Sequence, residues 1–474
     1  MAKSVQMILL PESFESRMKV VLGNEFHQFR ESIHSTVNYS VRVNPNKIKG
    51  AVNLTPVKTC STGYYLDQRP IFTLDPLFHA GAYYVQESSS MFLEQFICHV
   101  QKKTLRVLDL CAAPGGKSTH LCSLLPPDSL LVCNEVIHSR AMILSENLKK
   151  WGNPNVVVSC NDPRDFSRLP GFFDIIVVDA PCSGEGLFRR DPSAIDEWSD
   201  SNTALCAQRQ RRILADVWPA LAEDGMLVYS TCTYNPAENE ENISWLSEFT
   251  EVEGIELAIP ENWRIVTTEA SDIPCYRFYP HNVPGEGYFT AAVQKKGRVD
   301  AEKRSKEKSV LPLASKAEQL AWSDLLQQLP LSLVKFEENF LAFPTNQLQL
   351  LDLIKAALRI VHAGVKVGEI KQTSLVPAHE LAVSTIINTS HFPSLDLSLE
   401  QSISFLKRDD FRLDFQDQGW NLLTYRDYPI GWAKNIGNRF NNGYPKEWRI
   451  RMSTNEYTGE RLIDEAKKFP LNEL

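Results

Sequence analysis

No Cys-x-x-Cys pair occurs among the ten cysteines of this 474-residue chain, which excludes a zinc ribbon, and ten is too few for a disulfide framework. Cys111, Cys122 and Cys133 recur at equal spacing, but that spacing suits no tetrahedral metal site, so no metal centre is expected. Nor is there a basic excess: 50 Lys and Arg face 58 Asp and Glu, a net charge of -8. Phosphate contacts must therefore come from local patches. Long hydrophobic runs are missing too, since Met7-Ile8-Leu9-Leu10 is cut by Pro11 and Glu12. Neither a signal-peptide core nor a membrane span fits, and a cytoplasmic location is expected. There is no internal repeat or low-complexity tract.

What is present is an ordinary globular composition, 43% hydrophobic and 23% charged, with room for roughly three domains of about 150 residues. Residues 1–100 mix helical periodicity over 12–34 with short extended pieces such as Tyr39-Ser40-Val41-Arg42-Val43, and read as an appended α/β domain. From 105 onward short β-rich runs alternate with helical segments, the pattern of a doubly wound parallel sheet. Strands are expected over 105–110, 130–134, 155–159, 173–179 and 225–231, with more near 277–279 and 288–293. Helices are expected over 139–151 and 203–221, and the domain spans 101–294. The stretch 295–310 reads as a charged linker, with seven Lys or Arg against three acids. Two small modules follow, an intermediate one over 311–400 and a terminal one over 401–474.

The first strand of the sheet runs into Leu108-Asp109-Leu110-Cys111-Ala112-Ala113-Pro114-Gly115-Gly116-Lys117. Glycine there lets backbone approach a ligand, and the amides opening the next helix favour a carboxylate or other anion. The turn fits neither G-x-G-x-x-G nor the Walker pattern, which weakens a dinucleotide or nucleoside-triphosphate reading. Glu135, just after the second strand, is placed to accept from both hydroxyls of a ribose. Asp162, after the third, lies within reach of an adenine amino group. Taken alone, Glu135 fits a helix-start acid and Asp162 an Asx turn equally well. Arg140, one turn into the following helix, fits an ion pair better than a cofactor contact.

Two thiols then follow buried strands: Cys182 in Asp179-Ala180-Pro181-Cys182-Ser183-Gly184-Glu185-Gly186, and Cys232 in Ser230-Thr231-Cys232-Thr233-Tyr234-Asn235. Adjacent strand ends lie about 5 Å apart, so both sulfurs can share one pocket. A thiolate is the usual nucleophile for C6 of a pyrimidine, an addition that activates C5 toward a methyl donor, and a base must then remove the C5 proton. Two inert buried cysteines would look the same in sequence.

Together these motifs, with Arg42-Val43-Asn44-Pro45 and Tyr84-Val85-Gln86-Glu87-Ser88-Ser89-Ser90 upstream, resemble the RNA 5-methylcytosine methyltransferase (Nop2/NSUN/Fmu) family over roughly 13–293. Pro429-Ile430-Gly431-Trp432-Ala433-Lys434 and Tyr444-Pro445-Lys446 resemble the terminal module of its bacterial RsmF-type 16S rRNA subgroup. The resemblance implies a Rossmann-like class I α/β methyltransferase sheet with an N-terminal RNA-binding α/β domain and a C-terminal PUA-like module. It also implies S-adenosylmethionine as cofactor, bound by Cys111, Ala112, Ala113, Pro114, Gly115, Gly116, Lys117, Glu135 on the ribose, Asp162 on the adenine, Asp179 and Arg140. Cys232 would attack C6, Cys182 would assist proton removal and product release, Asp179 would hold the cytosine at N3 and N4, and Lys117 would line the pocket. The implied substrate is cytosine 1407 of 16S rRNA, presented by the small ribosomal subunit to a monomeric enzyme with no membrane partner.

RNA contacts are expected over 434–451, where Lys434, Arg439, Lys446, Arg449 and Arg451 interleave with Phe440, Tyr444 and Trp448, the aromatics serving partly as stacking faces and partly as the core of a small domain with the charges outward. Arg189, Arg190, Arg209, Arg211 and Arg212 are further candidates to line the catalytic side of an RNA channel, although singly such residues are more often solvated helix charges. Three alternatives stay open: another rRNA or tRNA cytosine, a catalytically silent ribosome-assembly factor, and a dehydrogenase.

Overall fold

The computed structural model describes residues 9–50, 52–297, 311–336, 338–372 and 374–453. Its centre is one sheet. Strands β1 (Arg106–Asp109), β2 (Leu130–Asn134), β3 (Val156–Ser159), β4 (Phe173–Asp179) and β5 (Leu221–Thr231) are mutually parallel. Their Val-, Ile- and Leu-rich runs are buried on both faces, as a sheet covered by helices requires. Antiparallel strands β6 (Val252–Gly254), β7 (Val266–Ala270), β8 (Ile273–Phe278), β9 (Tyr288–Lys295) and β10 (Ile360–Ala363) complete it. The order is β7-β8-β9-β5-β4-β1-β2-β3-β10, with β6 on β9. Strand order reverses at β1 and β4, so a cleft opens at their carboxyl ends. Helices α1 (Gly116–Leu124), α2 (His138–Trp151), α3 (Asp200–Val217) and α4 (Glu240–Phe249) provide the crossovers and cover.

Several expectations shift. The helical stretch 12–34 is two helices, Glu12–Leu22 and Phe26–Ile33, separated by a 3-10 turn at Gly23–Glu25. Most of the charged segment 295–310 lies outside the described residues, but Lys295 ends β9, where its buried ammonium donates to the carbonyls of Trp218 and Leu221, both at 3.0 Å. The segment 311–400 is not self-contained. It folds a four-stranded sheet of its own, yet lends β10 to the catalytic sheet, covering what would be the open edge of β3. Leu348, Leu351 and Ile354 join the same core as Val157 and Phe166.

The two ends of the chain also share a core, in which Val41, Leu77 and Tyr83 pack with Phe405, Leu423 and Tyr428. Lys47 fastens the parts together. Its buried ammonium donates to the carbonyls of Ala80, Lys150 and Val383 at 2.7, 2.5 and 2.5 Å, and burial pushes its pKa down to about 7.

Candidate active site

β1 delivers Asp109 to the cleft, and Gly115, at φ 119°, turns the chain into α1 through a conformation that side chains resist. A cavity of about 240 Å³ lies here. Asp109, Cys111, Ala112, Ala113, Pro114, Gly116, Lys117 and Asp179 line one side. Tyr84, Gln86, Glu87 and Arg190 close the other. The Asp109 Oδ2 accepts from the Ser118 hydroxyl at 2.7 Å, while the buried Oδ1 has no partner. Burial pushes this carboxyl up to about 7, with Asp179 and Glu135 adding to the effect. An orphaned carboxylate oxygen beside a helix N-terminus fits a ligand that carries both an ammonium and a carboxylate, as the methionyl end of S-adenosylmethionine does.

Glu135, Arg140 and Asp162 stand outside that cavity wall. The Glu135 carboxylate accepts from the Ile137 amide at 3.0 Å and pairs with Arg140 at 3.3 Å. Arg140 in turn donates to the Ala113 carbonyl at 3.0 Å, tying α2 to the turn. Asp162 caps a 3-10 helix, accepting from the Arg164 amide at 3.2 Å, and lies 3.6 Å from Arg212.

The two cysteine loops leave neighbouring strands β4 and β5, and their sulfurs lie 3.2 Å apart. Hydrogen bonding to Cys232 and burial hold the Cys182 thiol well above its ordinary pKa. Gly186 makes this approach possible. Its amide donates to the Cys232 carbonyl at 2.8 Å, and a Cβ there would sit 2.7 Å from that oxygen and from the carbonyl of Gly287. Between thiols and cavity, Asp179 accepts from Ser230 at 2.9 Å and from Lys117 at 2.8 Å. Burial opposes charge on Lys117, but Asp179 and Tyr288 outweigh it and raise its pKa.

Behind the thiols, Glu238 accepts from the Ser183 amide, the Ser183 hydroxyl and Gln210 at 2.8, 2.5 and 3.0 Å. Arg42 crosses from the N-terminal domain to α1, donating to Gln86, the Gly116 carbonyl and Thr119 at 3.0, 3.2 and 2.5 Å. Neither Glu238 nor Asp109 was an expected site residue, although each is an acid at the end of a strand or the start of a helix. Their burial is what the sequence hides.

The basic candidates divide. Arg189 is buried, donating to Glu286 at 3.1 Å and to the Gly285 carbonyl at 2.8 Å, so it braces the site and does not line a channel. Arg211 donates to Asn242 at 2.8 Å, whereas Arg190, Arg209 and Arg212 are exposed. Over 434–451 Arg439, Lys446, Arg449 and Arg451 face outward, and Lys434 lies over the Trp420 ring. The aromatics turn inward: Tyr444 is buried against His79, Trp448 packs edge-on against His379, and Phe440 packs on Phe411 and Phe415. Tyr444 is therefore a core residue and not a stacking platform.

Among the described residues no helix is long and apolar enough to cross a membrane. Residues 97–294 match the family described as 16S rRNA methyltransferase RsmB/F, residues 10–88 the N-terminal domain of 16S rRNA methyltransferase RsmF, and residues 392–450 the RsmF PUA domain. The chain is 31% identical over 467 residues to ribosomal RNA small subunit methyltransferase F of Photobacterium profundum, covering 92% of this chain and 97% of that protein. The same enzyme of Cronobacter sakazakii is 29% identical, with 93% and 96% covered. A methyltransferase homolog protein from Pyrococcus horikoshii shares 27% identity and a TM-score of 0.52, over 60% of this chain and 95% of that one. Sequence, sheet order and terminal modules agree: the chain belongs to the ribosomal RNA small subunit methyltransferase F family, enzymes that use S-adenosylmethionine.

Proposed function

We propose that this chain methylates C5 of cytosine 1407 in 16S rRNA on the small ribosomal subunit, as a cytoplasmic monomer, through a covalent bond between Cys232 and C6. The observation that carries the reading is the 3.2 Å approach of Cys182 and Cys232 beside the Asp179–Lys117 pair. A paired base is shut off from such a pocket, so the cytosine enters unstacked or flipped.

Bound S-adenosylmethionine supplies an electrophilic methyl group. Residues 111–117 would hold it, with Glu135 for the ribose, Asp162 for the adenine, Arg140 supporting Glu135, and the orphan oxygen of Asp109 for the amino group. Asp179, fixed by Ser230 and Lys117, meets the cytosine at N3 and N4. The Cys232 thiolate adds to C6, and the electron pair of the C5–C6 double bond becomes available at C5 for the methyl group. Loss of the C5 proton then restores the double bond as the C6–sulfur bond breaks. Cys182, its sulfur 3.2 Å from that of Cys232, assists removal of that proton and departure of the Cys232 sulfur. The domain division that serves this reading is 1–100, 101–294 with Lys295 closing its last strand, a linker over the rest of 295–310, 311–400 lending β10 to the catalytic sheet, and 401–474, with the terminal modules contributing RNA affinity.

The test is transfer of labelled methyl from S-adenosylmethionine to purified small subunits, followed by bisulfite mapping. A single modified cytosine at 1407 is expected. Label at another rRNA or tRNA cytosine would overturn the position, and no transfer to any RNA would favour an assembly factor.

A further inference from the structure

Three buried side chains outside the cleft converge on one point. Cys60 precedes the strand Gly63–Leu66 of the N-terminal domain, Glu94 sits on the helix Leu93–His99, and His120 lies on α1. They are 5%, 6% and 0% exposed. The His120 Nε2 is 3.5 Å from the Cys60 sulfur and 3.1 Å from Oε2 of Glu94, and all three donor atoms lie within 4.8 Å of one another. The other Glu94 oxygen is engaged by the Ser61 amide at 3.0 Å, which aims Oε2 at the cluster.

Hydrogen bonding alone crowds this arrangement, with the Cys60 thiol and the His120 Nε2 both turned to the one Glu94 carboxylate while also facing each other. One ring nitrogen faces both neighbours. If Nε2 carries the hydrogen donated to Glu94, it has no lone pair left to accept from the thiol. A metal ion satisfies all three at once. Tetrahedral zinc, with bonds of about 2.3 Å to sulfur and about 2.0 Å to nitrogen and oxygen, holds S and N about 3.5 Å apart and N and O about 3.3 Å apart. The Thr62 hydroxyl lies 3.7 Å from the Cys60 sulfur, and the fourth position is left to a water.

We propose that Cys60, Glu94 and His120 form a structural zinc site that pins the N-terminal domain to the helix opening the cofactor cavity. Thiolate, imidazole and carboxylate together with a tetrahedral spacing favour zinc over magnesium, calcium or manganese. Thiolate and carboxylate also neutralise the ion where water cannot. The spacing escapes sequence inspection because the ligands come from three elements, Cys60 and His120 being 60 positions apart. The site is separate from methyl transfer and stands whichever nucleotide is the substrate.

The test is metal analysis of the full chain after gel filtration, alongside two variant sets. About one zinc ion per chain is expected, lost in Cys60→Ser and in His120→Gln but retained in the double variant Cys182→Ser/Cys232→Ser. Because a ligand variant that misfolds would also lose metal, the wild-type chain is separately loaded with cobalt. A thiolate-to-cobalt charge-transfer band with tetrahedral visible absorption supports the site. A wild-type chain that holds no zinc and takes up none on titration overturns it, as does zinc that is lost with Cys182 and Cys232, or cobalt-loaded protein without the thiolate band.

Discussion

Glu238 grips Ser183 twice, accepting its backbone N–H at 2.8 Å and its hydroxyl at 2.5 Å. Ser183 follows Cys182, and Glu238 lies beyond Cys232, so one buried carboxylate sets the spacing of both thiol loops. Removing it in Glu238→Ala leaves buried donors unpaired, at a cost of about 1–3 kcal/mol. Misplacing a reacting group by about 1 Å costs on the order of a hundredfold in rate. The expected result is a large fall in kcat with KM little changed, partly rescued by Glu238→Gln; equal losses in both variants would contradict a positioning role.

Gly186→Ala probes the same approach from the other side. Its Cβ would meet the carbonyls of Cys232 and Gly287 at 2.7 Å. Both contacts are backbone, so the loops must separate. A destabilisation of about 1–3 kcal/mol is expected from overpacking, with methyl transfer falling further than the shift in denaturation midpoint explains.

Arg42 holds the N-terminal domain against α1 through the Gly116 carbonyl and Thr119, and its guanidinium lies over the Trp151 ring. Arg42→Met keeps bulk but frees the start of α1. S-adenosylmethionine affinity, read by calorimetry, is expected to fall about tenfold, roughly 1.4 kcal/mol.

Acid should loosen the joint between the two ends of the chain. His79 accepts from the Tyr444 hydroxyl at 2.9 Å and donates to the Thr73 carbonyl at 2.9 Å, and burial, with Lys150 adding, pushes its pKa down to about 3. Burial also lowers nearby His379 to about 3. Both stay neutral in the folded chain while the unfolded chain takes up protons below its ordinary histidine pKa. Stability is therefore full above that value and declines as pH falls toward 3, by a few kcal/mol. His79→Gln should lower stability at neutral pH and flatten that acid slope in urea titrations.

The parallel strands were legible because their Val and Ile runs are local signals, and β2 and β4 fall where periodicity placed them. The Asp179, Cys182 and Cys232 motifs were legible because strand ends bring them together whatever surrounds them. The pairing of β10 with β3 was not, nor the core shared by Val41 and Phe405, since each joins segments far apart in sequence. Asp109 and Glu238 look like solvated acids until burial is known. For Tyr444 the sequence leaves a stacking face and a core position equally open, and its hydroxyl on His79 decides for the core.

The unequal roles of the two thiols are tested most directly by denaturing gel electrophoresis of Cys182→Ala and Cys232→Ala variants after incubation with small-subunit RNA and S-adenosylmethionine. Cys182→Ala should accumulate a denaturation-resistant protein–RNA adduct, and Cys232→Ala should form none. An adduct in Cys232→Ala, or normal turnover by both variants, would contradict attack by Cys232 and release by Cys182.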